Sequence, residues 1–213
     1  MKKVLALLVA MSASASAATV SYSHTTPTSA APFTDNFTLQ KFDTTLGALT
    51  GILINFSTAT TAEVDVFNST GVAQNFTNAT AVVPLSLTGP AGATVNANAT
   101  AGPISGVANT GFNAFTGITG NSSASLTILP GNFAAYSGIG TTTAAFSVVA
   151  GTGTFSGTSI PGVFFGGSAT AGGSSSITYT YTVPTGTPEP ATMGLLGSAL
   201  LGLGFLKFRT KKS

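Results

Sequence analysis

The 213-residue chain is 43% hydrophobic but only 6% charged, and it has no cysteine, no tryptophan and one histidine. Absence of cysteine excludes disulfides, thiolate metal sites and a cysteine nucleophile, and the low charge leaves Ser and Thr, 59 residues together, to supply most of the polar surface. The formal net charge of +2 belongs to the ends: Lys2, Lys3, Lys207, Arg209, Lys211 and Lys212 flank a body, 19–187, in which Lys41 faces Asp35, Asp43, Glu63 and Asp65, for a net −3. That body carries no electrostatic footprint for nucleic acid.

Lys2 and Lys3 precede the apolar run Val4 to Met11 and the small residues Ser12 to Ala18. This is the layout of a secretory signal peptide, 1–18, with Ala15 and Ala17 forming the A-x-A site and cleavage after Ala17 or Ala18. Eight apolar residues fall short of a membrane span. A retained N-terminal anchor is the alternative.

From Thr19 to His24, Val20, Tyr22 and His24 alternate with Thr19, Ser21 and Ser23, which predicts a short first strand. Thr25 to Pro32 reads as a loop. Asn36 to Phe42 predicts a strand of imperfect alternation, with Phe37, Leu39 and Lys41 on one face. Asp43 to Gly47 turns, with Asp43 suited to an Asx-type hydrogen bond. Leu49 to Ser57 predicts a buried strand. Thr61 to Phe67 predicts a second, with Ala62, Val64 and Val66 opposite Glu63, Asp65 and Phe67. The turn Asn68-Ser69-Thr70-Gly71 follows.

Thr80 to Leu87 predicts a strand whose Pro84 suggests an edge or a bulge. The Gly/Asn/Ala-rich stretch Thr88 to Asn121 reads as a long loop carrying Phe112 and Phe115. Ala124 to Leu129 predicts a strand, and Thr142 to Phe155 two strands broken at Gly151-Thr152-Gly153. Val163 to Phe165 is brief. Ser174 to Val183 gives the clearest alternation, Ile177, Tyr179, Tyr181 and Val183 against Ser176, Thr178, Thr180 and Thr182. Short strands punctuated by Gly, Pro and Asn, with 13 Phe for a core, predict an all-β fold, a single antiparallel β-sandwich over 19–187.

The end of the chain is built differently. Thr187-Pro188-Glu189-Pro190 is held extended by its prolines. The uncharged run Ala191 to Leu206 follows, 16 residues, or 18 with Lys207 and Phe208, since a lysine stem reaches the headgroups. A spanning helix takes about 17–25 residues, so a C-terminal transmembrane helix is expected at about 191–208. Lys207, Arg209, Lys211 and Lys212 then stay cytoplasmic by the positive-inside rule, placing the body outside. A buried core helix is the competing reading, and it leaves the basic cluster unexplained.

Chemistry is scarce. His24 is the single candidate for a Ser-His-Asp arrangement, and its place near the N-terminus favours an edge strand instead. Glu63 and Asp65 share one strand face about 7 Å apart, a spacing open to glycoside hydrolysis, to calcium, or to a solvated face that discourages edge aggregation. The Gly-x-Gly pieces at Gly138 and Gly151 lack a strand-turn-helix setting for phosphate. Seven sequons begin at Asn36, Asn55, Asn68, Asn75, Asn78, Asn98 and Asn121. They leave glycosylation open. No residue is assigned as catalytic or as a metal ligand, and no cofactor or enzymatic activity is expected.

Pro188-Glu189-Pro190, a Gly/Leu-rich span and a basic terminus, in that order, resemble the PEP-CTERM sorting signal of Gram-negative bacteria. The resemblance implies recognition at Pro188, Glu189 and Pro190 by exosortase, a membrane-embedded peptidase, and association with exopolysaccharide and biofilm matrix. Leu39, Phe42, Asp43, Leu46, Gly47 and Leu49 resemble the front signature of the choice-of-anchor E domain, as does the ending Tyr179-Thr180-Tyr181-Thr182. The usual proline near position 40 is Gln40 here. This second resemblance implies a secreted bacterial domain with no assigned activity. The combined expectation is a non-catalytic cell-envelope protein, structural or adhesive in the matrix. The alternative is a carbohydrate-binding module that stacks sugars on sheet-face aromatics such as Tyr179 and Tyr181.

Overall fold

Apolar and hydroxyl residues alternate with period two through most of the body, and the computed structural model, which describes residues 17–184 and 197–198, turns that alternation into strands. In chain order these are β1 (Ala17–Ala30), β2 (Phe33–Gln40), β3 (Phe42–Asp43), β4 (Ala48–Asn68), β5 (Gln74–Thr88), β6 (Thr94–Ala108), β7 (Gly111–Thr127), β8 (Ser137–Gly138), β9 (Thr143–Ala150), β10 (Thr154–Thr158) and β11 (Val163–Thr182). Short 3-10 turns at Thr44–Leu46, Pro90–Gly92 and Pro130–Tyr136 join some of them. One antiparallel sheet has the order β1-β11-β4-β7. In the other, β5 pairs β6 on one side and both β9 and β10 on the other, with β2 outside β9. β3 and β8 form a two-residue parallel pair. The expected antiparallel β-sandwich is what Ala17–Thr182 form, as one compact unit.

Ile52, Ile54, Phe56, Ala62, Val64 and Val66 of β4 face Phe76, Ala81, Val83, Leu85 and Leu87 of β5, all 3% exposed or less. Each large side chain so buried contributes about 1.5–3 kcal/mol. Ala62, Val64 and Val66 point inward and Glu63, Asp65 and Phe67 outward, as the alternation predicted. The break between two strands at Gly151–Gly153 is also where expected.

Five expectations are corrected. The stretch 25–32 is not a loop: β1 continues to Ala30. It is an edge strand paired only with β11, and Pro27 falls in the register shift between Thr26 and Ser29, where the ladder is already interrupted. The strands expected at 49–57 and 61–67 are one strand of 21 residues. Thr58 and Thr60 point inward, and their hydroxyls donate to the carbonyls of Ser122 (3.3 Å) and Thr170 (2.8 Å), so the polar link between the two apolar runs is buried with partners.

Pro84 marks neither an edge nor a bulge. Its carbonyl accepts from Gly151 N at 2.8 Å, so its backbone polar edge faces the gap where β10 stops and β9 begins. The missing N–H falls where no strand would have received it. The loop expected over 88–121 is largely β6 and β7. Val95, Ala97, Ala99 and Ala101 are buried along the inner face of β6, and tertiary burial overrides the weak strand preference of Ala and Asn. A Cβ on Gly120 of β7 would collide with the Thr100 backbone of β6, so glycine there permits the close approach.

Finally, 163–165 and 174–182 belong to one strand, β11, which pairs with β4 from Asn68↔Val163 to Ala48↔Thr182 with a single register shift between Thr180 and Tyr181, and Val183 lies just past its end. A Cβ on Gly173 would run into the Ser57 carbonyl of β4. Gly173→Ala is therefore expected to destabilise the domain by about 2 kcal/mol, read as a fall in the urea midpoint. Gly131→Ala, at a position with open space around it, should change stability by less than about 0.5 kcal/mol.

Candidate functional site

The signature residues near the front of the domain build one corner. Leu39 and Phe42 are 6% and 1% exposed, Leu49 is half-buried, and Leu46 is exposed. Asp43 caps the 3-10 turn: its Oδ1 accepts from Thr45 N and Thr45 Oγ1, both at 2.9 Å, and these bonds hold its carboxyl below the usual carboxylate range. This is the expected Asx-type role. Gly47 closes the turn at φ +150°, a region open chiefly to glycine.

His24 lies on edge strand β1 with its side chain turned inward, and it meets a partner that the sequence did not pair with it. Its Nε2 is 2.9 Å from Asp35 Oδ2, and its ring stacks on Phe37 at 3.9 Å, which in turn stacks on Phe146. β1 edges one sheet and β2 edges the other, so this pair ties the two layers along one side. The separation of 11 residues in an irregular corner gave no signal for it.

Glu63 and Asp65 share the outer face of β4, as expected. Asp65 stands between Gly166 of β11 and Ala114 of β7, and Glu63 lies opposite Ser168 of β11. Among the described residues no group of three or more His, Asp or Glu side chains comes together. Of the sequon asparagines, Asn68 is fully buried: its Nδ2 donates to the Val72 and Ala108 carbonyls at 2.8 Å, and its Oδ1 accepts from Thr70 N and Oγ1. It pins the β4–β5 turn and has no room for a glycan.

The tyrosines proposed as a sugar platform are not one. Tyr179 is fully buried, its hydroxyl donating to the Gln40 carbonyl at 3.1 Å, and Tyr181 is half-buried with its ring 5.1 Å from Phe42. The alternation that marked them as a face was sound, but that face is the core. The exposed aromatics among the described residues are instead Phe67, Phe112 and Phe164. Local sequence does not group them, because Phe112 reads as part of a loop and Phe164 as part of a brief isolated strand.

The start of the first strand and the end of the last lie side by side. Ala17, half of the expected signal-cleavage pair, starts β1 opposite Thr182, the last residue of β11. Ala15, the sorting residues Pro188, Glu189 and Pro190, the basic residues Lys207, Arg209, Lys211 and Lys212, and most of the expected helix at 191–208 lie outside the described residues. Positions 197 and 198 are helical, and no helix among the described residues is long and apolar enough to cross a membrane.

A protein-family model for the PEP-CTERM protein-sorting motif matches residues 187–211. The chain carries a PEP-CTERM sorting signal. That signal marks it as an exosortase-sorted surface protein and begins five residues after β11 ends. No curated protein matches the chain. Two solved structures of infectious bursal disease virus, of the Gx and Gt strains, share 14% and 16% identity over 79% and 88% of this chain, with TM-scores of 0.17 and 0.13. The chain matches 37% and 48% of their lengths, and overlap this weak carries no argument about fold or role.

Burial pushes the Tyr136 phenol up to about 12 and raises Tyr179 further, with the neighbouring Tyr136 and Tyr22 adding to the effect on Tyr179. A phenol raised above its unfolded value near 10 gives stability that is complete below about pH 10 and is lost as pH climbs through the folded pKa. Melting temperature should therefore hold from pH 8 to 10 and fall between pH 10 and 12. Tyr136→Phe, which also removes the hydrogen bond to the Pro90 carbonyl, should lower the neutral-pH stability by about 1 kcal/mol and flatten that alkaline fall.

Proposed function

We propose that this is an exported cell-envelope protein of a Gram-negative bacterium. An exosortase-type peptidase cuts it near Pro188-Glu189-Pro190, and its β-sandwich then serves, without catalysis, as a structural or adhesive part of an exopolysaccharide or biofilm matrix. The observation that carries this reading is the sorting motif at 187–211, placed directly after the last strand. The final register pair of the sandwich is Ala17↔Thr182, so a cut near residue 187 removes no strand residue. The folded domain can be released or transferred whole. The Ala17–Thr182 pairing also suits an export signal and a sorting signal attached to one end of a long domain.

The corner formed by Leu39, Phe42, Asp43, Gly47 and Leu49 supports the choice-of-anchor E reading of the body, because each of these residues has a packing or capping role there. The hydroxyl-rich outer faces and near absence of positive charge fit a domain that lives among polysaccharides.

The test is the intact mass of the mature protein from hosts with and without an exosortase. Loss of the chain from about residue 188 onward, only when the peptidase is present, is the expected result. Replacing Pro188, Glu189 and Pro190 together by Ala should leave the tail on in both hosts. A tail retained by the natural sequence in the exosortase-bearing host would make residues 188–213 an ordinary anchor.

A further inference from the structure

The outer face of the sheet β1-β11-β4-β7 is mostly Thr, Ser, Ala and Gly, and apart from Leu53, 38% exposed, its large apolar side chains gather at one end. Phe164 of β11 pairs with Phe67 of β4, and Phe67 pairs with Phe112 of β7. Directly paired residues on adjacent strands project from the same face, so the three phenylalanines form a single rung across three strands. They are 61%, 46% and 68% exposed, and every exposed aromatic among the described residues belongs to this rung. Neighbouring strands are about 4.8 Å apart, so the row of rings spans roughly 10 Å between its outer members. The rung next to it is Gly166–Asp65–Ala114. Asp65 thus stands beside the rings with its Oδ1 buried and without a hydrogen-bond partner, and Glu63 lies beyond it opposite Ser168.

An apolar surface kept in water has a cost, and a protein this rich in hydroxyls could cover the position with threonine as it does elsewhere on the same face. The geometry points to a binding platform for a neutral polysaccharide: the rings receive the C–H face of successive pyranose units, and Asp65, through Oδ2 rather than the buried Oδ1, accepts hydrogen bonds from their hydroxyls. Three arguments select this occupant. The rung offers about 350 Å² of aromatic surface, taking roughly 200 Å² for a whole phenylalanine, well short of the roughly 800 Å² per partner of a stable protein interface. A one-rung row of rings is linear, which matches a single extended chain better than a second globular surface. Asp65 and Glu63, on a body of net charge −3, repel anionic polymers and anionic lipid while leaving an uncharged, hydroxyl-bearing ligand free to bind. The rung also lies at the end of β4 and β11 remote from Ala17 and Thr182, where the signal segments attach.

This deepens the surface-protein reading by naming a ligand class. It stands apart from tail cleavage, so a retained tail with glycan binding would sink only the sorting step. The experiment is co-sedimentation of the full-length chain, in detergent, with cellulose, and retardation in gels containing mixed-linkage β-glucan, galactomannan or dextran, with alginate as the polyanion. Binding to at least one neutral polymer and not to alginate is expected. The Phe67→Ala, Phe112→Ala, Phe164→Ala triple variant should weaken it at least tenfold with an unchanged melting temperature, and Asp65→Asn should weaken it several-fold. Binding to none of the neutral polymers, or equal binding by the triple variant, overturns the proposal. So does self-association in sedimentation equilibrium, or flotation with phosphatidylcholine–phosphatidylglycerol vesicles, if either is lost in the triple variant and no glycan binds.

Discussion

The pairing of β4 with β11 is the interaction on which the rest of the molecule depends. Twenty residue pairs run from Ala48↔Thr182 to Asn68↔Val163, a ladder roughly 60 Å long at about 3.3 Å per residue. β1 adds to one side of it and β7 to the other. The inner face of the pair supplies Ile52, Ile54, Phe56, Val64, Val66, Ile177 and Tyr179 to the core. Such a long strand pair tolerates few errors of register, because a slip of one residue would exchange its two faces. Glycines at the close approaches and threonines with internal carbonyl partners carry the ladder through its middle, and its one register shift falls near the Thr182 end, between Thr180 and Tyr181.

That ladder also separates the two ends of the domain. Its Thr182 end holds the start of β1 and leads toward the sorting signal. Its Val163 end holds the buried Asn68, which fixes the β4–β5 turn through three hydrogen bonds and ties it to β6 through a fourth, to the Ala108 carbonyl, and the outward phenylalanine rung. The layers are then joined along their sides. His24 and Asp35 link β1 to β2, while Gly120 lets β7 approach β6. A body with very few charges so holds its layers together with the His24–Asp35 hydrogen bond, hydroxyl-to-carbonyl bonds and small-residue contacts.

Asp65 illustrates how the same alternation serves packing and surface chemistry. Val64 and Val66 must face inward, which obliges Asp65 and Phe67 to face out. The identity of their neighbours across the sheet is not obliged in that way. Gly166 and Ala114 flank the carboxylate, and Phe164 and Phe112 flank the ring, only because β11 and β7 lie on β4 in one particular register.

The sequence alone determined the all-β class, the faces of β4, the Asp43 turn, the break at Gly151–Gly153 and the C-terminal sorting signal. These rest on local periodicity, turn chemistry and linear order, which need no knowledge of distant residues. Tertiary structure decided the rest. Alanines, glycines and asparagines in β6, β7 and the first half of β11 have little strand preference of their own and become strands because neighbours bury or pair them. Pro84 sits inside a sheet because two other strands happen to part beside it. Tyr179 is core and Phe67 is surface although both alternate correctly, since periodicity identifies two faces and only the opposing layer says which one is dry. The phenylalanine rung joins residues 67, 112 and 164, and no local rule reaches across such distances, because register between strands is set by the packing of the whole sandwich.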